Sequence, residues 1–320
     1  NGDEYDRRMR RALQSLIEAD LFDGGAFNKT YNTRTGRIAG RPGSEARNTA
    51  RGYGWSVLDL GRLMSALRVI YVNQPQYKDL IDRIVGRLDY DRLIVDGYLR
   101  GEDLAPRGDR HRRYQEGRIG YEQYAAQGFA AWGHVAPNAL NVKANARPVQ
   151  VLGVPVLADR RGGDHLTSEP FVLLGMEAGW NPEIRELALN VLNAQQERWK
   201  QTGTVTMVSE DALNGPPYFL YYHVYADGRS FPVSAPAGAP RGPTPRTVSV
   251  KAAFGWHALA PSDYTRLAVQ RVSGARLPAG WGAGVFEESG RVSGAPNVNT
   301  AAVVMEAALY HVRGKPLMEK

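Results

Sequence analysis

The chain has 320 residues, no cysteine, and 40 basic against 33 acidic residues, a net charge of +7. That length holds one large domain or two ordinary ones around a substantial core, and the missing cysteines exclude disulfides and thiolate metal sites. A polyanionic partner suits the charge, but no helix-turn-helix, zinc-finger or aromatic RNA-binding signature and no apolar run of about 18 residues accompanies it, so the reading carries no nucleic acid and no membrane span.

The chain opens on Asn1 without a methionine, which reads as a processed N-terminus. Residues 3–19 predict an amphipathic helix, with Met9, Leu13, Leu16 and Ile17 on one face. Residues 22–43 are rich in Gly, Asn and Thr, with Thr35-Gly36 at a hairpin tip. A long apolar helix follows over 53–72, then a more amphipathic one over 77–88. A buried helix followed by a half-exposed one is the rhythm of an inner and an outer layer. Residues 107–113 (RGDRHRR) read as a charged loop.

The span from Tyr121 to Trp132 is apolar or small on every face, which marks a buried helix. Its one formal charge is Glu122. An irregular excursion over 136–164 contains strand-forming residues at 149–157. Ser168 then caps, and Pro170 begins, a second all-apolar helix that carries Glu169 at its start. An outer helix is expected over 181–200, and a strand over 204–208 leading into Glu210-Asp211 as a helix start. Asp227-Gly228 suits a hairpin turn, and 234–247 a Pro-, Ala- and Gly-rich loop. Another buried helix over 250–260 has its outer partner at 263–272. A hairpin-like segment over 282–294 precedes the last helix at 299–312.

Weak repeats agree with one another. Gly61, Gly128, Gly175 and Gly255 each sit inside an apolar helix. Glycine there costs roughly 1 kcal/mol relative to alanine, so a repeated benefit, close helix approach, is implied. GGAFNKTYNTRTGRIAG near the N-terminus resembles GAGVFEESGRVSG near the C-terminus, and each precedes a helix. The expected fold is mainly α, an (α/α) toroid in which inner helices line a cavity, outer helices cover them and short β-hairpins decorate one end. Residues 1–320 then form a single domain.

Aligned on Gly128 and Gly175, Glu122 and Glu169 both fall six residues before the glycine. Two carboxylates at equivalent buried helix starts, with Glu210 and Asp211 nearby, are candidates for paired acid and base work. Tyr121, Tyr124, Tyr218, Tyr221, Tyr222 and Trp256 are candidate sugar platforms. Glycoside hydrolysis needs one protonated and one ionised carboxyl group. A blander role, the pull of a helix dipole on each acid, stands beside this one. His223 and His257 read as structural. No metal-ligand spacing, G-x-S-x-G elbow or phosphate-cradling loop occurs, so no cofactor and no metal are expected.

The stretches YEQYAAQGFAAWG (121–133), LTSEPFVLLGMEAGW (166–180), TGTVTMVSEDALNGPPYFLYYHVYADG (202–228), VKAAFGWHALAPSDYTRL (250–267) and NTAAVVMEAALY (299–310) together resemble the bacterial domain of unknown function 3131 family. The resemblance spans nearly the whole chain. It implies an exported, periplasmic or secreted protein with an (α/α) barrel similar in style to glucoamylase-like β-glucan hydrolases. It assigns no catalytic residue. The leading expectation is a glycoside hydrolase acting on an oligo- or polysaccharide of the bacterial envelope or extracellular matrix. The alternatives are a lyase on a uronate-containing glycan, with Tyr124 or Tyr222 as base, and a non-catalytic glycan-binding domain for polysaccharide secretion.

Overall fold

The computed structural model describes residues 2–40, 52–104, 110–161, 163–293 and 296–320. Part of the expected charged loop (107–109), the end of the Gly-rich segment (41–43) and Gly294 lie outside the described residues. The fold is mainly helical, with short antiparallel strands in sheets of two to four. No helix among the described residues is long and apolar enough to cross a membrane. The chain divides into two compact units, Asn1–Gly117 with Glu122–Asn141 and Lys320, and Arg118–Tyr121 with Val142–Glu319.

The first unit is built on the helices Gly2–Glu18, Val57–Asn73, Lys78–Val85 and most of Tyr121–Ala130. The long apolar helix starts four residues later than its pattern suggests. Gly54 and Trp55 pair with Asp103 and Glu102 of the strand Tyr98–Leu104, and the Ser56 side chain then caps the helix by accepting from the Asp59 N–H. Trp55, Leu60, Met64, Phe129 and Ile81 form its core. The charged run also differs from its expected loop. His111–Gln115 forms a strand on Tyr98–Leu104, because buried Glu102 gathers Arg92, His111 and Arg113 around it. The helix glycines have the close-approach role. A Cβ on Gly61 would stand 2.4 Å from the Ala125 Cβ, and one on Gly128 2.2 Å from the Gly61 carbonyl oxygen.

In the second unit the helix Val250–Leu259 packs against Glu169–Glu177, Asp263–Val272 and Val298–Arg313. A Cβ on Gly255 would meet Val172 at 2.0 Å. The hairpin Ala146–Val151/Val154–Asp159 lies against the helix Pro182–Thr202. The strand expected over 204–208 is absent and those residues are irregular. Their backbone groups are used elsewhere: Val208 N–H donates to the Gln195 side chain, and Met207 O accepts from Ser249 N–H. Glu210–Ala212 is the strand instead of a helix start, and it pairs with Phe219–Tyr222. Behind the Glu169 helix, Leu317 and Met318 donate their N–H groups to Met176 O and Glu177 O.

Candidate active site

Pro170 stands in the first turn of the helix Glu169–Glu177, with Glu169 before it, and the expected cap is not made: the Ser168 side chain forms no capping bond and its hydroxyl meets the Gln195 side chain instead. The helix Val250–Leu259 places Lys251 in its own first turn, and the two helices are in contact. Glu169 and Lys251 are each 5% exposed, and their side chains form a solvent-excluded ion pair. Lys251 also donates to Asn299 Oδ1 at 3.0 Å, and Ser209 Oγ lies 3.5 Å from the Glu169 carboxylate.

The strand Glu210–Ala212 brings in two more acids, which alternation points to opposite faces. Glu210 pairs with the Arg118 guanidinium at 2.5 Å. Arg118 also lies over the Tyr121 ring, 4.5 Å from its centroid. Gly120 lets this segment reach the Glu169 helix. Its φ is +95°, and a Cβ there would lie 2.8 Å from Pro170. Burial raises the pKa of Glu210, with Arg118 pulling against it. Asp211, 2% exposed, accepts from Ser249 Oγ at 3.1 Å, while its Oδ2 has no hydrogen-bond partner among the described residues. Burial pushes its pKa up to about 6, against the opposing pull of Lys251 and Ser249. The negative charges of Glu169 and Glu210 add to the rise.

Three carboxylates, Glu169, Glu210 and Asp211, therefore share a largely buried neighbourhood with two cations, Lys251 and Arg118. One negative charge is in excess, and a site that excludes water resolves such an excess by keeping a proton. Tyr121 also keeps its proton, because burial and the charges of Glu210 and Glu169 raise its pKa well above the usual phenol range.

The other expected residues are distributed differently. Glu122 and Tyr124 are buried in the first unit. Tyr221 pairs in register with Glu210, and Tyr218, at φ +66°, is 53% exposed. Tyr222 is buried and donates to Glu287 at 2.8 Å, and its pKa is raised well above the usual range. Trp256 is buried in the helix core, 6.1 Å from the Trp180 ring. Arg118 and Lys251 escape the sequence reading. Lys251 carried a usable signal, a lone ammonium in an otherwise apolar helix start, the same oddity that marks Glu122. Among the described residues, one group has metal-ligand spacing, Asp164, His165 and Asp227, with ligand atoms within 4.8 Å of one another. Asp164 in that group already accepts from Arg147 at 3.1 Å and from the Asp227 N–H at 2.9 Å.

A family profile described as "Protein of unknown function (DUF3131)" matches residues 1–314. The chain belongs to the DUF3131 family. Among solved structures, this DUF3131 chain is similar to a provisionally named glucoamylase from Bacteroides fragilis, with TM-score 0.65 and 15% identity over 99% of this chain and 77% of the other. A provisionally named glucoamylase from Bacteroides caccae gives TM-score 0.63 at 15% identity, covering 99% and 78%. A β-1,2-glucanase from Parabacteroides distasonis gives 0.57 at 15%, covering 99% of the DUF3131 chain and 49% of its own. At this identity the likeness establishes a shared fold. No functionally curated protein matches the DUF3131 chain.

Proposed function

We propose that this DUF3131 protein is a glycoside hydrolase cleaving a bacterial envelope or extracellular polysaccharide with carboxyl groups and no cofactor. The observation that carries the reading is the excess of three carboxylates over two cations, with Asp211 pushed up to about 6. An acid that gives up its proton only near pH 6, beside a second acid paired with a guanidinium, offers the unequal carboxyl groups that glycosidic cleavage uses. The fold shared with proteins named glucoamylase and β-1,2-glucanase supports it. The expected ring of inner and outer helices, the single-domain reading of 1–320 and an exported location belong to this proposal.

We assign the acid and base work to Glu210 and Asp211. Glu169 is held by Lys251 away from solvent, which suits it to fixing that ammonium among the acids. Glu122, equally enclosed, is the reserve candidate. Tyr121, Tyr218 and Tyr221 are the proposed sugar contacts, since Tyr124, Tyr222 and Trp256 are packed inside. The lyase alternative loses support at Tyr222, which keeps its proton and spends it on Glu287. Incubation with a panel of bacterial glycans, read by mass spectrometry, tests the proposal. New reducing ends without ultraviolet-absorbing products are expected. Unsaturated products, or binding with no products across the panel, overturn it.

A further inference from the structure

A second concave site in the same compact unit lies at one end of the sheet that joins Thr247–Ser249, Gly284–Phe286 and Val292–Ser293, lined by Phe286 and by the segments 243–246 and 288–291 that flank its strands. Its cavity measures about 540 Å³, within the roughly 300–1,000 Å³ of small-ligand sites. Arg246 enters it just before the first strand, and Arg291 just before the third. The register sets Arg291 opposite Phe286, whose N–H donates to the Arg291 carbonyl at 2.9 Å, and the half-buried Phe286 ring supplies an apolar wall.

Among the described residues, no acid pairs with the two arginines of this cavity. Glu287, next in the chain to the last residue of the second strand, is already committed to Arg198, at 2.9 and 2.8 Å, and to the Tyr222 hydroxyl at 2.8 Å. Glu288 lines the same rim. Among the described residues, neither the Arg246 nor the Arg291 guanidinium makes an ion pair or hydrogen bond. Two open guanidinium forks match a carboxylate or phosphate bidentately, and a ring face beside them suits the C–H face of a sugar. Ser289 and Thr244 add hydroxyls for neutral sugar oxygens.

We propose that this cavity binds an anionic sugar unit, with its acidic group on Arg246 and Arg291 and its ring on Phe286. The anion's source is a uronic-acid carboxylate or a sugar phosphate ester. The proposal stands apart from the hydrolase reading, because binding here is read without turnover. The test is calorimetric titration of the full chain, at low salt and at about 0.15 M salt, with a galacturonate trimer, glucose 1-phosphate and a neutral glucose trimer. At least one anionic probe is expected to bind, weaken with salt, and weaken about tenfold further in each of Arg246→Ala and Arg291→Ala. Which of the two binds assigns the anion. Both arginines are exposed, and circular dichroism of each variant checks the fold, with Phe286→Leu as a second probe of the ring wall. Failure of both anionic probes, equal binding of the neutral trimer, or unchanged binding in the double variant overturns the proposal.

Discussion

At Asp211 the role proposed for the site and the stability of the protein pull against each other. Its pKa rises from 3.8 to about 6 on folding, so the folded state binds the proton more tightly than the unfolded chain. The stabilisation is therefore complete below pH 3.8 and is lost as pH rises through about 6. The loss at neutral pH is about 3 kcal/mol. Asp211→Asn removes the titration, so urea midpoints measured from pH 4 to 7 should flatten in that range, without a loss at pH 7. Under the proposed role the same variant, like Glu210→Gln, should lower turnover by about 100-fold or more. If both variants turn over at the wild-type rate on the cleaved glycan, the acid–base assignment fails. Lys251→Met tests the other side of the cluster. It strands Glu169 in the interior and should cost about 3–5 kcal/mol, whereas Lys251→Met with Glu169→Leu should recover most of that.

At the level of elements, the glycines decide which helices approach. Gly255→Ala puts a methyl group 2.0 Å from a Val172 methyl. The clash should cost about 1–3 kcal/mol, against roughly 1 kcal/mol returned by alanine's helix propensity. Adding Val172→Ala should relieve the clash, and equal denaturation midpoints for Gly255→Ala and wild type would dismiss the close-packing account. Periodicity exposed these elements because burial writes itself into spacing. The helices expected over 263–272 and 250–260 appear as Asp263–Val272 and Val250–Leu259. The strand at 204–208 failed for the converse reason. Alternation records which side chains are inside, and there the backbone is satisfied by Gln195 and Ser249 instead of a neighbouring strand. The sheet on Tyr98–Leu104 gave no alternating signal, since its buried positions include Gly101 and Glu102.

Over the whole molecule, hydrophobic periodicity led to a mainly helical fold and the resemblance of long motifs to the family, while the site was legible only in part. Glu122 and Glu169 stood out as acids at the starts of apolar helices, with Glu210 and Asp211 as second candidates beside them. Their cations did not, because Lys251 lies 82 residues from Glu169 and Arg118 lies 92 from Glu210, separations that spacing rules cannot read. The platform tyrosines divided for a similar reason, since sequence marks an aromatic residue without saying whether it packs or faces solvent. Leu317 and Met318 hand their amide hydrogens to the last carbonyls of the helix that begins with Glu169. Those two amides should exchange with deuterium slowly, at the pace of that helix's opening. Deuterium uptake at 317 and 318 is then a remote gauge of the carboxylate cluster. It should quicken in Lys251→Met, although neither amide touches Lys251.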